Sequence, residues 1–85
     1  MISNAFTVGT TPVKIVDSDE GWRTVYIHVV GNATVYLGSS TVTTANGLPT
    51  EKHTAPVAIV VPQQETVWAV VAADTEDVRV LRPSA

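Results

Sequence analysis

The sequence WRTVYIHVV at residues 22–30 decides the fold class, because its apolar residues alternate with the period of a β-strand. One face of this strand is aliphatic and carries Val25, Ile27 and Val29. The opposite face is polar and aromatic, with Tyr26 among its residues. Since both faces are partly apolar, we predict that the strand lies near the middle of a sheet.

Valine and threonine dominate the whole chain, with 16 Val and 12 Thr but only 3 Leu in 85 residues. Both residue types are β-branched, and their restricted χ1 angles favour strands over helices. They occur in blocks separated by Gly, Pro, Asn and Asp, which gives about eight short strands at the spacing of a sandwich or barrel. We therefore predict an all-β fold: a single small antiparallel β-sandwich or barrel, jelly-roll-like, that comprises residues 1–85.

Local signals predict how some of these strands are joined. The Gly31-Asn32 pair is a two-residue turn candidate, so residues 22–30 and 33–37 are expected to form a hairpin. Tyr26 and Tyr36 would then be cross-strand neighbours. A further short strand is predicted at residues 41–43 and a turn at residues 46–49. The predicted core consists of Val25, Ile27, Val29, Val35, Leu37, Val78 and Val80.

The charge pattern excludes several classes of partner. Only 15% of residues are charged, against about 25% in a typical domain. The net charge is −3 and the five basic residues are scattered, so no nucleic acid is expected to bind. The longest apolar run, residues 55–62, is too short to span a bilayer, and the first residues lack the pattern of a targeting segment. We therefore expect no membrane partner.

The small size and the absence of Cys bear on stability. A domain of this length has a modest core and usually gains stability from disulfides, a metal or a partner subunit. Disulfides and thiolate metal sites are excluded, and a Cys-free chain suits folding in a reducing cytoplasm. We therefore expect a homo-oligomer, with a trimer favoured, and no cofactor.

The residues that carry chemistry form no recognisable catalytic or metal motif. Alternate carboxylates at residues 17–20 could bind Ca²⁺, but the ligand ladder of a calcium loop is missing, so we favour a solvated turn. His28 and His53 have no Cys, Ser or second His at a useful spacing. A Gly-x-Ser-x-Gly nucleophile turn is also missing. We predict no catalytic residues, no metal ligands and no enzymatic activity.

Three stretches of the chain resemble small β-rich structural proteins of tailed bacteriophages: TVGTTPVKIV, WRTVYIHVVGNATVYLGSSTVTTANGLP and ETVWAVVAADTEDVRVL. They begin at residues 7, 22 and 65, so the resemblance covers nearly the whole chain. It is a resemblance of turns and strands and includes no catalytic motif.

The resemblance implies a virion protein, made in the host cytoplasm, that decorates the outer surface of a phage head. Such a decoration (cement) protein binds the major capsid protein, often as a trimer, and reinforces the shell. Residues 1–8 are a candidate N-terminal arm for this contact. The alternative is a carbohydrate- or receptor-binding β-sandwich module of a tail or fibre, in which aromatic side chains would stack on the ligand. Possible capsid or subunit contacts are Ile2, Phe6, Trp22, Tyr26, Tyr36 and Trp68.

Overall fold

A computed structural model describes residues 1–53 and 55–83 of the protein. These residues form eight strands and no helix, so the all-β prediction is confirmed, and no helix among them is long and apolar enough to cross a membrane. The strands are β1 (Ile2–Val8), β2 (Val13–Val16), β3 (Arg23–Val29), β4 (Val35–Gly38), β5 (Leu48–Thr50), β6 (Val57–Val61), β7 (Val67–Val71) and β8 (Glu76–Arg82).

The strands form two antiparallel sheets of four. Sheet A has the order β1-β8-β3-β6, and sheet B has the order β2-β7-β4-β5. Four strand pairs are those of one long hairpin, in which the first four strands run antiparallel to the last four: β1–β8, β2–β7, β3–β6 and β4–β5. Two further pairs, β3–β8 and β4–β7, close the sheets after this hairpin wraps around itself. This connectivity is the eight-stranded jelly roll.

The core lies between the two sheets, and all seven predicted core residues are buried in it. Val25, Ile27 and Val29 of β3 are fully buried, as their period-2 alternation requires. In sheet A, β3 is an inner strand between β8 and β6, which confirms the predicted central position. The inward rows of β4 and β7 in sheet B supply the facing aliphatic side chains.

The hairpin predicted at Gly31-Asn32 is wrong, because β3 belongs to sheet A and β4 to sheet B. The chain stays beside β8 as far as Val30, whose N–H donates to the Asp77 carbonyl at 3.0 Å, and then crosses to the other sheet. The carboxylate of Glu76, only 9% exposed, holds this crossover. Its Oε1 accepts from the Ala33 N–H at 2.7 Å and its Oε2 from the Asp77 N–H at 2.9 Å.

The predicted pairing of Tyr26 with Tyr36 is wrong for the same reason. Tyr26 lies opposite Ala58 and Leu81 in sheet A. Tyr36 lies opposite Pro49 and Val70 in sheet B, on the other side of the core. The two tyrosines therefore belong to different surfaces of the molecule.

The connection between β4 and β5 also differs from the prediction. Residues 41–43 form no strand but part of consecutive turns, in which the Thr43 N–H donates to Asn46 Oδ1 at 2.8 Å and the Gly47 N–H to the Thr43 carbonyl at 2.9 Å. The predicted turn at residues 46–49 ends earlier, because Leu48 and Pro49 belong to β5. Thr favours strands by its branching, but its hydroxyl bonds nearby backbone groups and so also stabilises turns.

The segment expected as an N-terminal arm is strand β1 of sheet A. It pairs with β8 in unbroken register, from Ile2 opposite Arg82 to Val8 opposite Glu76. Val8 belongs to the core and Phe6 packs against it. The radius of gyration is 11.8 Å, close to the value of about 12 Å for a compact chain of this length. In this structure the segment is an edge strand rather than a free end.

The alternation in β3 predicts that substitutions on its buried face lower stability much more than substitutions on its exposed face. Ile27→Ala should lower the free energy of unfolding by about 2–5 kcal/mol, because it leaves a cavity at a fully buried site. Thr24→Ala, on the exposed face of the same strand, is the control and should cost about 1 kcal/mol or less. Urea denaturation measures both. Equal losses would contradict the assigned faces.

The hydrogen bonds at the crossover after β3 predict that substitutions at Gly31 and Glu76 do not affect stability independently. A Cβ at Gly31 would overlap the Glu76 carboxylate, so Gly31→Ala must shift the carboxylate relative to its two N–H donors. Glu76→Gln removes one acceptor oxygen from the same donors. Each change should cost about 1–3 kcal/mol of stability, since it weakens or removes hydrogen bonds between a charged acceptor and part-buried backbone N–H groups.

The double variant tests whether both changes act through one interaction. Its loss of stability should be smaller than the sum of the two single losses, because the same hydrogen bonds can be lost only once. Thermal unfolding of the four proteins gives this difference. If the loss of stability in the double variant equals the sum of the two single losses, Glu76 does not stabilise the crossover after β3.

Candidate functional site

The outer face of sheet A is open and partly apolar. Cross-strand register places Ser3, Leu81, Tyr26 and Ala58 in one row across its four strands. Tyr26 is 45% exposed and Leu81 37%, and Val60 on β6 is 59% exposed. We call this the open face. Because these large apolar side chains share one side of a small domain, we take this side as the candidate contact surface.

A groove of about 460 Å³ crosses the open face where small side chains of β1 adjoin larger ones of β3 and β8. Ser3 and Ala5 form its low side, and Tyr26 rises on the opposite side. A concave surface of this kind, mostly apolar with a few polar groups, suits recognition of a partner. The groove is lined by Ser3, Asn4, Ala5, Tyr26, His28, Pro56, Arg79, Val80 and Leu81.

The polar groups of the groove are concentrated at the pair Arg79 and His28, which lie directly opposite each other in β8 and β3. Arg79 is exposed, and within residues 1–53 and 55–83 it has neither a hydrogen bond nor an ion pair. The Nδ1 atom of His28 is shielded from solvent and likewise has no hydrogen-bond partner in the described part of the chain. The Arg79 guanidinium is therefore available to a molecule that fills the groove, whereas His28 Nδ1 is not accessible from the groove in this conformation.

The outer face of sheet B, in contrast, is partly covered by the protein itself. The loop at residues 39–47 folds back over it, and Val42 of this loop is buried outside the main core. Gly38 and Gly47 lie so close to Val42 that a Cβ on either would fall within 3.0 Å of its side chain. Val70, which faces outward from β7, is buried as well.

The six residues predicted as contacts do not form one surface. Ile2 and Phe6 are half-buried and share the inward side of β1. Their cross-strand partners in β8 are Arg82 and Val78. Trp22 is 68% exposed and directly precedes β3.

The remaining three divide between the sheets. Tyr26 lies on the open face of sheet A. Tyr36 and Trp68 are half-buried in sheet B, where the Trp68 indole N–H donates to Thr66 Oγ1 at 3.1 Å.

The acidic segment at residues 17–20 is a turn whose backbone oxygens are used internally. The Arg23 guanidinium donates to the carbonyls of Asp17, Gly21 and Glu65, the last at 2.9 Å. Asp19 accepts the Gly21 N–H on its Oδ1 at 3.1 Å. Among the described residues, no group of three or more His, Cys, Asp or Glu is placed to hold a metal ion. Arg23 thus holds the loop that enters β3.

Comparison with known proteins yields no protein-family model, no curated protein and no solved structure that matches this chain. The open face and its groove are therefore the features of the molecule that bear on its function. The sequence predicts Tyr26 as a contact residue but not Val60, Leu81 or Arg79. Only cross-strand register brings these side chains together, so no local signal in the sequence could have grouped them.

Neighbouring valines of β6 provide a test of the open face. Val61 is 2% exposed and Val60 is its exposed neighbour, so Val61→Thr buries a hydroxyl whereas Val60→Thr leaves it in water. Val61→Thr should cost about 1–3 kcal/mol. Val60→Thr should stay within about 0.5 kcal/mol of the parent protein. Chemical denaturation measures both, and a large loss for Val60→Thr would mean that the open face is covered in solution.

Proposed function

We propose that the protein is a structural virion protein, a capsid decoration (cement) protein of a tailed phage, located on the capsid surface. It binds the major capsid protein on the outside of the head and stabilises the shell without chemistry. The open face of sheet A makes the contact. The observation that carries this proposal is the exposed apolar surface formed by Tyr26, Leu81 and Val60.

Three further features support this proposal. The stretches quoted above resemble small structural proteins of tailed phages. The jelly roll occurs in viral capsid and lectin domains, although a fold alone does not assign a function. Low charge suits a domain whose neighbours cover its surface, because ionisable side chains are costly to desolvate in a contact.

The edges of the two sheets support a homo-oligomer, for which we propose a trimer. In sheet B, edge strand β2 carries Lys14 and an irregular register, and edge strand β5 is short and contains Pro49. These features block pairing with another chain. The edge strands of sheet A, β1 and β6, contain neither a charged residue nor a proline. Sheet A is therefore the sheet through which subunits can join.

A second candidate function is a carbohydrate- or receptor-binding module of a phage tail or fibre. The groove favours it, because Tyr26 offers an aromatic ring beside the polar groups of His28 and Arg79. A glycan array with the purified protein separates this function from decoration.

Binding to heads tests the proposed function. The purified protein should sediment with undecorated heads and raise their temperature of disruption, because a ligand of the assembled state stabilises that state by mass action. Tyr26→Ser should weaken both effects. Leu48→Ser removes an apolar side chain that is 54% exposed on sheet B and is the control. Retention of Tyr26→Ser at the parental level would exclude the open face, and failure of the parent protein to bind would exclude decoration.

A further inference from the structure

We propose that the groove recognises a carboxylate on its protein partner: an Asp or Glu side chain next to an apolar residue in an extended segment. This inference rests on the proposed function, because it names the chemistry of the protein surface that the open face would bind. The carboxylate would lie against Arg79, and the apolar residue against Tyr26 and Leu81.

Arg79 determines the charge of the partner. Among the described residues that line the groove, it is the only one that is permanently charged, and none of them is an Asp or Glu. The nearest acidic group on its strand is Asp77, which is not part of the groove and accepts a hydrogen bond from Thr7 Oγ1 at 3.4 Å. An arginine without an ion pair presents a planar fork of donors that matches a carboxylate.

The surroundings of Arg79 strengthen its attraction for a carboxylate. Leu81 lies two residues along the same strand and Tyr26 is Leu81's cross-strand neighbour, so apolar surface adjoins the guanidinium. A partner that covers this surface excludes water. An ion pair with less water around it is screened less than one in open solvent.

His28 provides a second observation for a partner at this position. A polar atom that is buried without a hydrogen bond costs stability, so a native example calls for an explanation. His28 Nδ1 is such an atom among the described residues, and it lies beneath the same groove, opposite Arg79. Because this atom is shielded from solvent, the imidazole would have to rotate before a bound carboxylate could accept or share a hydrogen bond with it.

The lining favours a peptide over a sugar. Sugar hydroxyls need several hydrogen-bonding side chains at fixed positions, whereas most of the lining surface is apolar even though Ser3 and Asn4 contribute to it. The exposed apolar surface also continues beyond the groove to Val60 on β6. An acidic residue with apolar neighbours matches this surface along more of its length than a single sugar ring does.

Short blocked peptides test the site without phage heads. The probes are acetyl-Leu-Asp-Leu-amide, its Asn analogue and glucuronic acid, each titrated to millimolar concentration while amide shifts are followed by NMR. The Asp peptide should shift residues of β1, β3 and β8 around the groove and bind about tenfold more tightly than the Asn peptide, as expected for hydrogen bonds to a charged group. Equal binding of the two peptides, no binding, or binding of glucuronic acid alone would overturn the proposal.

A matched pair of charge variants completes the test. Arg79→Gln should lose about tenfold in affinity for the Asp peptide. Lys14→Gln removes the same charge from sheet B and should leave the affinity unchanged. Unaltered amide shifts elsewhere show that both variants are folded. An Arg79→Gln protein that binds the Asp peptide at parental strength would contradict the proposal.

Binding of the same variants to heads separates the two proposals. If the parent protein and Arg79→Gln bind heads equally, decoration stands and the carboxylate site is wrong. If the parent protein binds the Asp peptide but not heads, the site stands and decoration is wrong. If Arg79→Gln alone loses head binding, and added salt weakens the parent in the same way, both proposals are supported.

Discussion

Removal of the inward aliphatic rows from water is the interaction on which the rest of the structure depends. Each sheet contributes a row of Val and Ile at alternate positions, and the two rows share one dry layer. A fully buried aliphatic side chain contributes about 1.5–3 kcal/mol. With no Cys to cross-link the chain, this layer is the principal source of stability among the described residues. Because strand periodicity places alternate residues outside, the core also determines which side chains remain for a partner.

Polar groups then determine how the chain passes between the sheets. A crossover cannot be stabilised by ladder hydrogen bonds, so its backbone N–H and C=O groups need side-chain partners. Glu76 supplies acceptors where the chain leaves sheet A after β3. Arg23 supplies donors to three backbone carbonyls where the chain enters β3. Two of the few charged residues therefore bind backbone groups and hold the fold.

The outer faces of the two sheets differ in how much apolar surface they leave exposed to water. Sheet B uses its own loop at residues 39–47 to cover Val70, whereas sheet A leaves Tyr26, Val60 and Leu81 in contact with water. The edge strands differ in the same sense, since only those of sheet B carry a lysine, a bulge or a proline. Both differences place the unprotected surface on sheet A. The proposed partner contact and the proposed subunit contact thus belong to one sheet.

The sequence by itself determined most of the strands and, for β3, the side that is buried. Val25, Ile27 and Val29 could be assigned to the core because period-2 alternation is a local property of the chain. The partners of the strands could not be assigned in this way. Gly31-Asn32 is a good hairpin signal, yet the chain crosses there to the other sheet, held by a carboxylate 45 residues further on at Glu76. Among the described residues no glycine adopts a positive φ, and the residues with a left-handed backbone are Gln64 and Asp74.

The residues of the candidate site divide in the same way, into those that could be predicted from the sequence and those that only the tertiary structure brings together. Tyr26 could be predicted as a contact residue from its own sequence position, but its neighbours Leu81 and Ala58 come from strands far along the chain. Only the tertiary structure decided that Arg79 lies beside His28 and that Tyr36 is on the opposite side of the molecule. The physical reason is that strand pairing is non-local. Backbone hydrogen bonds are alike in every strand, so the choice of partner depends on how the whole set of inward rows packs together.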